Sequence, residues 1–102
     1  MFYHCVHFWL RDGVEASDRQ KLIEGVRSLG NSEHMQSVRV GVPAMTPRDV
    51  VDNSYDIQLI AVFEDKDAHD RYQSTDDPVH QAFIEQFKSY WSKVVIYDSL
   101  DA

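Results

Sequence analysis

The groups in this 102-residue chain best suited to proton chemistry are its five histidines, its one cysteine and Tyr72. His80 follows Asp77-Pro78-Val79, and an Asp before a Pro is a strong helix start. Asp77 can cap and Pro78 fits the first helical position, which puts His80 near the positive end of the helix dipole. A cation is disfavoured there, so the imidazole tends to stay neutral and can accept a proton near pH 7. His80 also borders the apolar stripe of Phe83, Ile84 and Phe87 and so faces the interior. A packed histidine holding one hydrogen bond is the simpler account, and the residues alone favour it. The same holds for His4, which shares a strand face with Val6 and Phe8. Tyr72 is either a phenol donor close to the helix start or an amphipathic residue closing the core.

Spacing alone offers no metal site. His4 and His7 are three apart on a strand, which sends them to opposite faces, and His69 and His80 lie on different elements with no second ligand at i+4. Two histidines one helical turn apart beside a carboxylate do not occur, so a metal would have to be held by tertiary contacts. There is no glycine-rich phosphate loop among four glycines, no nucleotide motif and no G-x-S-x-G elbow. Cys5 sits inside a strand without an activating base and reads as a small core residue. No cofactor is expected.

These residues depend on the elements that carry them. Phe2 to Arg11 is aromatic and β-branched and stops at Asp12-Gly13, which makes it a strand. Ser17 with Gln20 reads as a capping box, Leu22, Ile23, Val26 and Leu29 recur at helical spacing, and Gly30-Asn31 reads as an αL cap. Val38, Val40 and Val42 alternate with polar residues or glycine in a second strand ended by Pro43, and residues 43–54 read as a loop. Asp56 to Glu64 is a third strand, with Ile57, Leu59, Ala61 and Phe63 on one face. A polar helix over Lys66 to Gln73 precedes the Asp77-Pro78 start, and the helix after it should bury Phe83, Ile84, Phe87, Tyr90 and Trp91. Lys93 to Ser99 is the last strand. The order is β-α-β-β-α-β, an α+β, ferredoxin-like arrangement with a four-stranded, mainly antiparallel sheet and helices on one face.

Such a sheet should alternate apolar and polar residues, yet these strands are apolar on both sides. Tyr3, Cys5, His7 and Trp9 back the His4-to-Leu10 face of the first strand, and Val95 and Tyr97 back Val94 and Ile96 in the last. A bare face of that kind marks an interface, so a homodimer joined through its sheet faces is expected. Composition agrees with one small domain over residues 1–102: hydrophobic residues are 43% and charged residues 26%. The formal charge of −7 argues against nucleic acid or an anionic membrane as partner. A lone cysteine fits a reducing, cytoplasmic setting, and no apolar run approaches the roughly 20 residues that span a bilayer.

Four stretches, in order and covering nearly the whole chain, resemble the stress-responsive dimeric α/β barrel (Dabb) family. They are His4-Cys5-Val6-His7-Phe8-Trp9-Leu10-Arg11-Asp12-Gly13, Tyr55 to Asp65, Asp77-Pro78-Val79-His80-Gln81-Ala82-Phe83, which is similar to a D-P-x-H-x-x-F signature, and Trp91 to Asp98. The resemblance implies a ferredoxin-like fold that dimerises through its sheets. It also implies, from a plant polyketide cyclase of the family, cofactor-free acid–base chemistry with His80 as base, Tyr72 assisting and His4 lining the pocket. Phe83, Trp91 and Asp98 fall on positions that line or support that pocket. Two departures point to a different substrate: Ile57 stands where the cyclase has a histidine, and Tyr72 lies eight residues before His80 rather than six. Three readings follow. The first is a cyclase, lyase or isomerase acting on a carbonyl-containing, partly apolar molecule, with pocket walls from Val6, Phe8, Ile57, Phe83, Trp91 and Asp98. The second is a non-catalytic ligand-binding or stress-response dimer, and the third, by loose analogy of fold, is a monooxygenase-like activity.

Overall fold

The computed structural model describes residues 1–102. The first strand, β1, runs Phe2–Leu10 and buries every second residue, so the two-residue period predicted from the sequence sets its faces. It lies centrally, pairing antiparallel with β3 (Ile57–Phe63) on one side and β4 (Trp91–Leu100) on the other. The short strand β2 (Ser37–Gly41) pairs with β3, giving a four-stranded antiparallel sheet of order β2-β3-β1-β4. The ladder between β1 and β4 shifts register at Trp9/Leu10.

Helices α1 (Ala16–Ser28), α2 (Lys66–Gln73) and α3 (Pro78–Phe87) carry the residues that pack on the inner sheet face. The core joins Phe2, Val6 and Phe8 of β1 and Leu59, Ala61 and Phe63 of β3 to Leu22 and Val26 of α1 and Phe83 and Phe87 of α3. Helix α1 passes so close to α3 that a Cβ on Gly25 would stand 2.3 Å from the Phe87 ring, so only glycine fits there without a shift. The α+β, ferredoxin-like expectation therefore holds.

Three local expectations fail for physical reasons. Helix α1 begins at Ala16 with Glu15 as its N-cap and no side-chain bond, so Ser17 lies inside the first turn and cannot form the capping box. Gly30 is not an αL cap, because the chain continues through a 3₁₀ turn over Leu29–Asn31; its small size serves close packing, with the Val38 side chain 2.9 Å from where a Cβ would be. Helix α3 stops at Phe87, and after a 3₁₀ turn over Lys88–Tyr90 Trp91 opens β4. Trp91 still meets Phe83, their rings stacked 5.9 Å apart, but it does so from the sheet.

The outer sheet face carries no helix. Part of it is covered by the segment between β2 and β3, where Ser54 accepts a hydrogen bond from the Trp9 indole at 3.1 Å and Tyr55 meets His7 edge-on at 5.0 Å. Tyr97, further along that face, is 67% exposed. No helix is long and apolar enough to cross a membrane.

Candidate functional site

The site begins with the start of α3. One carboxylate oxygen of Asp77 accepts from the backbone N–H groups of Val79 at 2.9 Å and His80 at 3.1 Å, as the Asp-Pro signal predicts. Its other oxygen accepts the Ser32 hydroxyl at 2.7 Å, which ties α3 to the segment after α1. Burial alone would raise the Asp77 pKa, but the Ser32 hydroxyl and the two backbone donors outweigh it and hold the carboxyl below its ordinary range. The cap is therefore ionised at neutral pH.

His80 stands at the third position of α3, and its ring lies 4.5 Å from that of Tyr72, at the opposite end of the 74–77 connection. The two rings thus meet across the eight-residue spacing. Burial lowers the His80 pKa, and the nearby His4 and His69 lower it further against the opposing pull of Asp77. The imidazole is neutral at pH 7, as expected, but through desolvation first. Its Nδ1 is buried without a hydrogen-bond partner. Burial pushes the Tyr72 phenol above its ordinary range, so it keeps its proton and is able to donate it in a hydrogen bond.

His4 shares the inner face of β1 and sits opposite Asp98 in the β1–β4 ladder. Its Nδ1 is 2.6 Å from Asp98 Oδ1, and its Nε2 is 3.4 Å from the Gln73 amide nitrogen. With Nδ1–H donating to the carboxylate, Nε2 is the acceptor that faces Gln73. Burial lowers the His4 pKa in spite of the raising influence of Asp98.

Between the helices and the sheet these groups border a cavity of about 160 Å³. His4, Tyr72, Gln73 and His80 supply its polar groups. Val6, Phe8, Phe83 and Trp91 line it, together with Leu59, Ile84 and other apolar side chains. The interior is not filled solid by Phe8, Phe83, Phe87 and Trp91. Two expected wall residues are absent from the lining. Ile57 is fully buried in the core at the Phe8 end of the ladder, and Leu59, two residues along the same face, takes the wall position. Asp98 does not reach the cavity; it acts at one remove through His4.

Sequence reasoning missed Gln73 and His69. His69 and Tyr72 are three apart on α2 and share its buried face, a signal that was available in the spacing. The meeting of His4, His69 and Asp98, whose ligand atoms all lie within 4.8 Å of one another, depends on strand register and helix docking. Spacing could not show it.

The fold recurs in solved structures. The At3g17210 protein of Arabidopsis thaliana superposes with a TM-score of 0.84 at 24% identity, covering 100% of this chain and 96% of its own. The hydroxynitrile lyase of Passiflora edulis gives 0.81 at 13% identity, covering 99% and 93%. A dimeric ferredoxin-like protein of unknown function from Thermobifida fusca gives 0.77 at 18% identity, covering 96% and 88%. No curated protein matches the sequence. The profile of the stress responsive A/B barrel domain family (Dabb) matches residues 2–101, and the chain belongs to that family.

Proposed function

We propose that the protein binds a small, partly apolar carbonyl compound in the cavity under α3 and moves a proton on it without a cofactor, as a lyase, cyclase or isomerase does. The observation that carries this reading is the pairing of a neutral, desolvated His80 with a protonated Tyr72, rings 4.5 Å apart, on the wall of an apolar cavity. A base and a donor held together out of bulk water are what removal of a proton beside a carbonyl requires. His80 takes the proton from carbon or hydroxyl, and the Tyr72 hydroxyl donates to the oxygen on which negative charge develops. His4, oriented by Asp98, presents Nε2 to the same space and fixes the substrate's polar end. An empty volume of about 150 Å³ accommodates a benzene-sized group, so a single ring or a short chain fits. The hydroxynitrile lyase of passion fruit, which has the same fold, supports lyase chemistry as the class to try first.

The assay uses two probes: hydrogen–deuterium exchange at the carbon between the carbonyls of benzoylacetone, followed by NMR, and release of benzaldehyde from mandelonitrile. Catalysed exchange or cleavage that disappears in folded His80→Gln supports the reading. Saturable probe binding without turnover replaces it with the non-catalytic ligand binder. Neither binding nor turnover overturns it.

The outer sheet face is the surface we assign to a homodimer. An exposed Tyr97 beside Val95 and His7 supports this, and structural relatives from Thermobifida fusca and Bacteroides fragilis are described as dimeric. Light scattering should return about twice the 11.9 kDa of one chain. A mass of one chain at micromolar concentration overturns the assembly.

A further inference from the structure

We infer that His4, His69 and Asp98 form a binding site for one divalent zinc-like cation, beside the cavity and sharing His4 with it, without using His80 or Tyr72. His69 is 8% exposed and its ring stacks on Phe2 at 4.1 Å. Its Nδ1 lies 3.1 Å from Asp70 Oδ1, which fixes the tautomer: Nδ1–H donates to that carboxylate, and Nε2 keeps a lone pair. That lone pair is buried, has no hydrogen-bond partner, and lies 3.9 Å from Asp98 Oδ2. A lone pair turned toward a carboxylate is unfavourable unless something positive sits between them. His4, 3% exposed, brings a second imidazole nitrogen to the other oxygen of the same carboxylate at 2.6 Å. Two imidazoles and one carboxylate, with an Asp behind one histidine, are a donor set suited to zinc, and water would complete the coordination.

The spacing shows what binding must change. Ligands at about 2.0–2.1 Å from a tetrahedral ion stand roughly 3.3 Å apart, so the His4–Asp98 contact has to open and the His69–Asp98 gap has to close. Asp98 is the member able to move, since its side chain is 38% exposed and it lies on edge strand β4. The ion takes the place of the proton on His4 Nδ1. That proton moves to Nε2, so His4 binds the ion as a neutral imidazole with no net proton release at neutral pH, and affinity falls as pH drops because protons compete for the ring nitrogens. His4 Nε2, which faces Gln73, is not used by the ion and carries the ring proton once the ion is bound.

The test is titration of the metal-stripped protein with Co²⁺, followed by zinc competition. The expected result is a visible absorption band that saturates at one equivalent per chain. Zinc removes that band. Zinc should also raise the unfolding temperature. Asp98→Asn and His69→Gln should each abolish the band while circular dichroism shows the fold intact. Asp98→Asn keeps the size of a half-exposed side chain, which guards against loss by misfolding. Absence of a saturable band overturns the site, as does a band unchanged in both variants. Loss of the band leaves deuterium exchange on benzoylacetone as a separate readout of His80, so failure of one reading is distinguishable from failure of the other.

Discussion

His4 and His7 stand three residues apart on the same strand and meet different environments. His4 points inward, opposite Asp98 and in contact with α2 through Gln73. His7 points outward, 2.9 Å from the Gln58 amide and edge-on to Tyr55 and Tyr97. The inner histidine is paired with a carboxylate and sealed beneath helices; the outer one rests on an amide among aromatic rings. Strand alternation makes one face able to tune charge and leaves the other as a contact surface. In the proposed reading, chemistry and assembly are divided by the thickness of one sheet.

Substitutions can break that division. The largest effect is expected inside. Phe63→Ala removes a fully buried ring that meets Phe2 and Tyr72 and should lower unfolding free energy by about 3–5 kcal/mol in urea titration. Gly25→Ala drives a methyl into the Phe87 ring and should cost about 1–3 kcal/mol, with overpacking outweighing the gain in helix propensity of up to about 1 kcal/mol. Asp98→Ala strips the partner from the His4 Nδ1–H and should cost about 1–2 kcal/mol, near the low end for a buried orphan because water can reach a half-exposed position.

Acid provides a further test. The pKa values of His4 and His80 are lowered in the folded chain, so the unfolded chain binds protons more readily. Stability from these groups is complete above the unfolded imidazole pKa of about 6.5. It is lost as pH falls from there through the depressed folded values, with a slope of at most about 1.4 kcal/mol per pH unit for each histidine. Urea midpoints measured between neutrality and mild acid should show this decline, and His80→Gln should flatten it. An unchanged slope in that variant would mean that His80 does not contribute. The smallest effect on the fold is expected on the outer face. Tyr97→Ser should move the stability of a single chain by no more than about 0.5 kcal/mol, whereas the mass by light scattering should drop toward one chain.

Sheet and helices were legible because their signals are local. Alternation of Ile57, Leu59, Ala61 and Phe63 gave β3, and the Asp77-Pro78 pair gave the start of α3 to the residue. Helix α2 spans Lys66–Gln73 as expected from its polar pattern. Where local signals misled, packing had overruled them. Gly30 has the chemistry of a cap but sits where Val38 comes close, and Trp91 continues a helical stripe numerically while the chain has already turned into β4. The candidate site was legible only as separate residues. His80, Tyr72 and His4 could be singled out by type, but a pairing across 94 positions, such as His4 with Asp98, exists only once strand register is set. Ile57 was placed on the wall through a family position, when the cavity lies further along that strand at Leu59.

The two oxygens of Asp77 hold different parts of the chain: one the opening turn of α3, the other Ser32. The seat of His80 is for that reason shared property. Lengthening or shortening the 32–36 turn, itself outside the cavity lining, would tilt the first turn of α3 and re-aim the imidazole without replacing a lining residue. In the proposed reading, that turn becomes a second handle on the cavity beside its wall.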